Sequence, residues 1–214
     1  MKKSFIVFDF DGTMVNTNDV ITASWMATFE HYLGYRPERR EIEATFGETL
    51  KDTVANYFPN ETFEEVRDYY RAYQDAHQEG MVYVFSGVED LLRELRTRGC
   101  KIGVATSRTS YSFWNYMRQF GIEDTVDEVV TMEDVTAHKP APDSMYCIMD
   151  KLGAKPEETL MIGDTKYDIG CAANAGVESV LVGWSHYVDE DALESSGFIP
   201  TYRIDKPEEI LELI

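Results

Sequence analysis

Cysteine is scarce in this 214-residue sequence, which contains only three. Cys100, Cys147 and Cys171 stand singly and far apart, a pattern that matches neither a metal site nor a disulfide framework. We therefore predict reduced thiols with a structural role.

Basic residues are also scarce: 20 lysines and arginines stand against 39 aspartates and glutamates, for a net charge of −19. Nucleic acids and anionic membranes bind positive surfaces, so we expect neither as a partner. No apolar run approaches the length of a membrane span. The first four residues lead directly into an apolar stretch and leave no room for a signal peptide, so we expect a cytoplasmic protein.

The apolar stretch Phe5–Phe8 ends in two aspartates separated by one residue. Its β-branched and aromatic residues predict a buried strand that ends near Gly12. In an extended chain, Asp9 and Asp11 point to the same side. Two carboxylates this close repel each other unless a cation or a shared proton lies between them, and a hard ion such as Mg²⁺ would satisfy both.

The next convincing strand is predicted at 101–106, much later than a crossover between parallel strands requires. The residues between show apolar patterns of helical spacing, interrupted at glycine and proline. We expect an inserted helical cap domain at 15–81 and a core domain formed by 1–14 and 82–214. Within the cap, helices are predicted near 18–33, 37–46, 50–58 and 63–80.

From Gly87 onwards, predicted helices and strands alternate, which is typical of a parallel sheet with helices on both faces. The expected fold class is therefore α/β, with an inserted α-helical domain. Strands are predicted at 101–106, 126–131, 159–163, 179–183 and 201–204, and helices at 88–95, 109–120, 143–152, 165–175, 189–196 and 207–213.

Ligands of open parallel sheets bind beyond the carboxyl ends of the strands. In this sequence those positions, with the loop after the third core strand, carry carboxylates, hydroxyls and a lysine. They are Asp9, Asp11, Thr106, Ser107, Lys139, Asp164 and Asp168.

This set of side chains suits phosphoryl transfer through a covalent aspartyl-phosphate. A carboxylate can attack phosphorus and divide the displacement into two easier steps. Mg²⁺ can hold the nucleophile near a phosphoryl oxygen, while a hydroxyl and an ammonium bind the remaining oxygens. Asp11 can protonate the leaving oxygen and later deprotonate the attacking water.

Four motifs, in this order, resemble those of the haloacid dehalogenase (HAD) superfamily, and they look most like its phosphatases with a helical cap after the first motif. The motifs are Asp9–Thr13 (DFDGT), the strand that ends in Thr106, Lys139 before Pro140, and Gly163–Asp168 (GDTKYD). The resemblance covers essentially the whole chain and implies a Rossmann-like core.

The resemblance also implies a role for each of these residues. Asp9 would be the nucleophile and a Mg²⁺ ligand, and Asp11 the general acid and base, with its backbone carbonyl on the metal. Asp164 would be the third protein ligand. Thr106 and Lys139 would act in catalysis by binding phosphoryl oxygens of the substrate.

Four further residues complete the expected site. Asp168 lies one helical turn after the third ligand and fits a role in orienting the lysine or a metal-bound water. Ser107 and Arg108 follow the threonine on the same loop, and Arg108 stands where many relatives carry lysine, which would keep a cation near the entrance. In the cap, Gly47 and the two residues after it form the loop expected to reach the substrate.

Within the superfamily, segments 6–18, 130–140 and 156–164 look most similar to phosphoglycolate phosphatases and to inorganic pyrophosphatases of the PpaX type. Asn16 stands where many relatives carry aspartate, as in that pyrophosphatase group. The expected function is Mg²⁺-dependent hydrolysis of a small, phosphoglycolate-like monoester. The expected partner is a small phosphorylated metabolite, and the expected assembly is a monomer or homodimer.

Several alternatives remain open besides a PpaX-type pyrophosphatase. A phosphomutase resembling β-phosphoglucomutase would return the phosphoryl group to a sugar. Phosphonoacetaldehyde hydrolase would need a Schiff-base lysine in the cap and commonly lacks the second aspartate, so Asp11 argues against it. A phospho-accepting receiver domain is a signalling module that gathers similar residues, but it would place its acceptor on a later strand and would not need the insertion at 15–81.

Overall fold

The computed structural model of the chain describes residues 3–185 and 189–214. Met1 and Lys2, which open the stretch considered for a signal peptide, lie outside the described residues. The strands are β1 Phe5–Phe8, β2 Val15–Asn16, β3 Tyr83–Val84, β4 Lys101–Ala105, β5 Glu128–Val130, β6 Thr159–Gly163, β7 Glu178–Val182 and β8 Tyr202–Ile204. The helices are α1 Asn18–Leu33, α2 Arg39–Glu43, α3 Leu50–Tyr57, α4 Phe63–His77, α5 Val88–Thr97, α6 Ser110–Phe120, α7 Asp143–Leu152, α8 Lys166–Ala175 and α9 Glu190–Ser196.

Six of the strands form one parallel sheet, in the order β5-β4-β1-β6-β7-β8. β1 lies between β4 and β6, with Phe8 opposite Val104 and Ile162. This central strand is apolar on both faces, since Phe8 packs into one hydrophobic cluster and Val7 into another. The residues that follow β1 therefore emerge in the middle of the sheet's carboxyl edge.

Helices cover both faces of the sheet, as the alternating pattern predicted. α5 and α6 contribute to one apolar cluster, and α7 and α8 contribute to the other. The prediction of an α/β fold with a parallel sheet and inserted helices is thus confirmed. Two predicted helices are shorter or of another type: residues 207–212 form a 3-10 helix that begins at Pro207, and α2 has only five residues.

The helices between β2 and β3 pack around a hydrophobic cluster of their own, which is distinct from the two clusters of the sheet. Its buried members are Trp25, Phe29, Ile42, Val54, Phe58, Val66 and Tyr70. We propose residues 15–81, which include these helices, as the cap domain, and 1–14 with 82–214 as the core domain.

The chain passes between the proposed cap and the core twice, and the two segments that connect them, β2 and β3, pair as a two-stranded antiparallel ribbon. Val15 pairs with Val84 in β2 and β3, and Asn16 pairs with Tyr83. The amide Nδ2 of Asn16 also donates a 2.6 Å hydrogen bond to the Tyr83 hydroxyl. The sequence analysis missed this ribbon because strands of two residues leave no periodic pattern.

The three cysteines are free thiols, of which Cys100 and Cys171 are buried. Among the described residues, no helix combines the length and apolar character that crossing a membrane would take.

Candidate active site

Asp9 follows β1 directly and is buried at the carboxyl edge of the sheet. Its N–H donates to the carbonyl of Ile162 over 2.8 Å, which extends the pairing between β1 and β6 by one residue. Its Oδ1 accepts a 2.6 Å hydrogen bond from Nζ of Lys139. The same ammonium donates to Oδ1 of Asp168 over 2.6 Å and to the carbonyl of Ala105 over 3.0 Å.

Lys139 is therefore a buried cation held between two buried carboxylates. Burial alone would lower its pKa, but the attraction of Asp168 and Asp9 outweighs that effect and raises the pKa of the ammonium. The lysine is charged in this arrangement, as a group that binds phosphoryl oxygens needs to be.

Asp168 reaches this lysine from the first turn of α8. Its other oxygen, Oδ2, accepts hydrogen bonds from the backbone N–H of Thr165 over 3.0 Å and from the Thr165 hydroxyl over 2.7 Å. This reciprocal cap fixes the start of α8. Both oxygens of Asp168 thus have protein partners, an arrangement that suits the predicted positioning of Lys139.

Asp164 lies directly after β6 and is 2% exposed. Its Oδ2 accepts a 2.6 Å hydrogen bond from the Ser185 hydroxyl, and its Oδ1 accepts a 3.3 Å hydrogen bond from the Thr13 hydroxyl. The turn after β1 passes against it, because a Cβ built on Gly12 would lie 2.1 Å from Oδ2. Gly12 also has a φ of +76°, so glycine is required here for both space and conformation.

The carboxylates of Asp9, Asp164 and Asp168 form a cluster in which one oxygen of each lies within 4.8 Å of the others. Burial raises the pKa of Asp9 well above its ordinary value, although Lys139 partly offsets this. Burial, and next the charge of Asp168, raises the pKa of Asp164 to about 7. Buried oxygen donors with unbalanced negative charge fit a hard divalent cation such as Mg²⁺.

Asp11 faces a different cation. Nε of Arg108 lies 2.8 Å from its Oδ1 and 2.7 Å from its Oδ2, and the Thr17 hydroxyl also donates to Oδ1. The sequence analysis placed Arg108 near the entrance, but the structure buries it to 6% exposure. Burial opposes its charge, yet the attraction of Asp11 outweighs burial and raises the pKa of the guanidinium.

Thr106 and Ser107 lie after β4, on the opposite side of Asp9 from β6. The Thr106 hydroxyl accepts a 3.1 Å hydrogen bond from the N–H of Arg108, which leaves its own proton available to a ligand. The Ser107 hydroxyl donates over 3.1 Å to the carbonyl of Gly47 and thereby ties the core to the proposed cap.

The loop containing Gly47 lies directly against the core. Gly47 has a φ of +91°, and a Cβ added there would lie 2.5 Å from the ring of Tyr167. The next residue, Glu48, accepts a 3.4 Å hydrogen bond from the Tyr167 hydroxyl and a 3.2 Å hydrogen bond from the Thr53 hydroxyl. Burial, together with the charge of Glu48, raises the pKa of Tyr167 to about 12.

A cavity of about 90 Å³ lies between the carboxyl edge of the core sheet and the helices and Gly47 loop of the proposed cap. Thr106 is 4% exposed and is not among the residues that line this cavity. Carboxylates and cations of the core form one side of the cavity, and aromatic, polar and basic residues of α1, α4 and the Gly47 loop form the other. Predicted site residues in the lining are Asp9, Asp11, Gly47, Ser107, Arg108, Lys139, Asp164 and Asp168.

The sequence pattern of the haloacid dehalogenase-like hydrolases matches residues 6–182. This chain belongs to that family. Pyrophosphatase PpaX of Bacillus mycoides is 32% identical over 214 residues, which cover 100% of this chain and 98% of that protein. Pyrophosphatase PpaX of Halalkalibacterium halodurans is also 32% identical, with the same coverage.

Solved structures of HAD-like hydrolases share the fold. A haloacid dehalogenase-like hydrolase from Bacteroides fragilis has a TM-score of 0.86 and 25% identity, over 98% of this chain and 100% of that one. A structure from Lactobacillus plantarum, described as a phosphoglycolate phosphatase, has a TM-score of 0.86 at 22% identity and full coverage of both chains. The predicted superfamily and hydrolase class are confirmed, and the names of these relatives agree with phosphate chemistry.

This HAD-like hydrolase also has site residues that the sequence analysis missed. Arg71 of α4 lines the cavity, Ser112 of α6 bonds to Arg108, and Ser185 bonds to Asp164. A lone serine or arginine has no local signal, because only the packing of distant elements brings it to the site. The apolar spacing of α4 could have indicated which side of that helix faces inwards, but not what lies opposite.

Proposed function

We propose that this HAD-like hydrolase is a Mg²⁺-dependent phosphatase that hydrolyses a small, phosphoglycolate-like monoester through an aspartyl-phosphate on Asp9. The main support is the position of the Asp9 carboxylate at the cavity surface, in contact with Lys139 and beside Asp164. An anchored cation and a neighbouring metal site both reduce the charge repulsion that a carboxylate meets when it receives a phosphoryl group.

In the first step, a carboxylate oxygen of Asp9 attacks phosphorus, and the bond between phosphorus and the leaving oxygen breaks. Lys139 binds a phosphoryl oxygen while it remains anchored by Asp168. The Thr106 hydroxyl donates to another phosphoryl oxygen as the group settles on Asp9. Asp11, in its protonated form, gives its proton to the leaving oxygen.

In the second step, Asp11 accepts a proton from a water molecule, whose oxygen attacks phosphorus and breaks the bond to Asp9. Nε of Arg108 contacts both oxygens of the Asp11 carboxylate and keeps it in place for this step. Thr17 fixes the orientation of the same carboxylate.

Asp9 and Asp164, with the backbone carbonyl of Asp11, are the groups that we propose for holding Mg²⁺. When bound, the ion would neutralise the clustered carboxylates and so admit an anionic phosphate. We assign Asp168 instead to positioning Lys139, since its Oδ1 pairs with that ammonium while its Oδ2 caps the start of α8 through two hydrogen bonds from Thr165.

Pyrophosphate hydrolysis is the second candidate, favoured by the PpaX relatives. The enclosed cavity of about 90 Å³ also suits a compact substrate. For either candidate we propose a small phosphorylated metabolite as the partner. We further propose a monomer or homodimer that works in the cytoplasm.

Phosphate release from para-nitrophenyl phosphate, with Mg²⁺ or with EDTA, tests the chemistry. The wild type should be active only with Mg²⁺, and Asp9→Asn should be inactive. Asp90→Asn, which changes an exposed aspartate of α5, is the matched control and should keep full activity. Activity that survives in Asp9→Asn would remove the proposed nucleophile.

A substrate panel then separates the candidates. Phosphoglycolate, pyrophosphate, nucleotides and sugar phosphates should be compared by kcat/KM. We expect phosphoglycolate to rank first, and a higher value for pyrophosphate would replace it. Conversion of a hexose 1-phosphate to its 6-phosphate without phosphate release would instead establish a mutase, while a stable phospho-aspartate without turnover would indicate a receiver-like role.

A further inference from the structure

Two arginines approach each other at the active-site cavity, Arg108 from the core and Arg71 from the proposed cap. Nη1 of Arg108 donates a 2.5 Å hydrogen bond to the hydroxyl of Ser112, and Nη1 of Arg71 donates to the same hydroxyl over 3.2 Å. Both side chains line the cavity that contains Asp9. Two guanidinium groups that share one neutral acceptor repel each other, so this position favours an anion.

The charges of the two arginines are balanced differently. Arg108 has the carboxylate of Asp11 at 2.7 Å. Arg71 bonds to the neutral side chains of Gln74, over 2.8 Å, and Ser112, and its guanidinium carbon lies 5.7 Å from the centre of the Tyr70 ring. Within residues 3–185 and 189–214, no carboxylate lies within 4.0 Å of its nitrogens. Burial lowers the pKa of Arg71; the charge of Arg108 lowers it further, while Tyr70 and the more distant Asp11 oppose the shift without cancelling it.

A mostly buried guanidinium without a carboxylate partner is costly unless a ligand provides the opposite charge. The phosphoryl group at Asp9 has Lys139 as its own cation. Arg71 is therefore available to bind another negatively charged part of the substrate. Arg71 also lines a second cavity, of about 470 Å³, with residues of α4 and α6, so further space adjoins its side chain.

We propose that Arg71 is a specificity-determining residue, which binds a second anionic group carried by the leaving part of the substrate. This inference rests on the proposed function, because it assumes that the transferred phosphoryl group is bound at Asp9. A carboxylate, as in phosphoglycolate, and a second phosphate, as in pyrophosphate, share the required chemistry. A leaving group without charge gains nothing from this site.

Two substitutions separate charge from hydrogen bonding. Arg71→Gln keeps hydrogen-bond donors that can reach Gln74 and Ser112 but removes the charge, whereas Arg71→Lys keeps the charge. Arg93→Gln is the matched control, since Arg93 lies on α5 and pairs with Glu89 at the surface. For each variant, kcat/KM is measured for pyrophosphate, phosphoglycolate and para-nitrophenyl phosphate.

The measured quantity is the ratio of kcat/KM for each doubly charged substrate to that for para-nitrophenyl phosphate. At least one ratio should fall by about 30-fold in Arg71→Gln, the size expected for a lost charged hydrogen bond. It should fall by less than about fivefold in Arg71→Lys and stay unchanged in Arg93→Gln. Equal losses on all three substrates, or equal effects of Gln and Lys, would mean a purely structural role and overturn the proposal.

Binding of methylene bisphosphonate, measured by calorimetry with Mg²⁺, separates this inference from the proposed function. If the wild type hydrolyses no ester but binds the bisphosphonate about 30-fold more tightly than Arg71→Gln does, the anion site stands and the phosphatase proposal fails. If phosphatase activity is present but Arg71→Gln binds the bisphosphonate as tightly as the wild type, the phosphatase stands and the anion site fails.

Discussion

Nε of Arg108 lies between the two carboxylate oxygens of Asp11, at 2.8 and 2.7 Å. This contact joins the proposed acid and base to a guanidinium that is itself buried. Because this nitrogen contacts both oxygens, Arg108 fixes the orientation of the carboxylate.

Replacement of Arg108 should therefore reduce the rate of the chemical steps. We expect Arg108→Met to lower kcat on para-nitrophenyl phosphate by about 10- to 100-fold, since the truncated pair leaves a misoriented charge. Arg108→Lys should recover only part of the rate, because lysine lacks the planar guanidinium. Arg118→Met, on the exposed side of α6, should leave kcat unchanged, and wild-type kcat in Arg108→Met would contradict the role given to the pair.

Removal of Lys139 should affect both activity and stability. In Lys139→Met, the carboxylates of Asp9 and Asp168 would lose the cation between them, so we expect the free energy of unfolding in EDTA to fall by about 3–5 kcal/mol. Activity should fall at least about 1,000-fold, because the phosphoryl oxygens lose their ammonium. Chemical denaturation and phosphate release measure the two effects, with Lys155→Met, an exposed change, as the control. An unchanged unfolding free energy would show that the ion pairs do not stabilise the fold.

Substitution of Gly47 should weaken substrate binding by preventing close contact between the proposed cap and the core. In Gly47→Ala, the new methyl group would meet the Tyr167 ring at 2.5 Å, so we expect KM to rise by about tenfold or more. Gly80→Ala is a matched control, because Gly80 also has a positive φ, of +75°, but has nothing within 4 Å of its added Cβ. Both variants should lose about 1–2 kcal/mol of stability, but only Gly47→Ala should change KM.

The stability of the metal-free protein should fall as pH rises. The pKa of Asp164 is about 7 in the folded protein against an ordinary 3.8. The folded state thus binds this proton more tightly, and its stabilising effect is lost as pH rises from about 4 through about 7. Mg²⁺ competes with the proton, so it should raise the Tm more at about pH 8 than at about pH 5.

Thermal denaturation in EDTA and in Mg²⁺ across this pH range measures the effect. Asp164→Asn should reduce the pH dependence, with the remainder due to Asp9, and should remove most of the Mg²⁺ response, whereas Asp90→Asn should keep both. A Tm that is independent of pH in EDTA would show that the Asp164 carboxyl is already ionised at low pH.

The sequence predicted the elements whose signal is local. β6 and α7 have the predicted bounds, 159–163 and 143–152, because a run of buried apolar residues and a helical repeat ending before glycine each define an element without reference to the rest of the chain. Because β1 and β6 were predicted to belong to one parallel sheet, their carboxyl ends had to share one edge. This is why Asp9 and Asp164 could be placed together.

What the sequence could not predict depends on contacts between distant elements. The pairing of β2 with β3 forms only when the two segments that connect the proposed cap to the core come together. Arg71 reaches the site because α4 packs near α6, and the burial of Arg108 depends on Asp11 in another loop. No spacing in the chain encodes any of these three contacts.

The central place of β1 sets an order for folding during synthesis. Its two partners, β4 and β6, come much later in the chain. The backbone hydrogen bonds of β1 to these strands therefore cannot form until both strands have been synthesised. The hydrophobic cluster built from Trp25, Phe58 and Tyr70 needs no residue beyond α4. We therefore expect the growing chain to complete the helices of the proposed cap before the sheet, because contacts that are near in sequence form first.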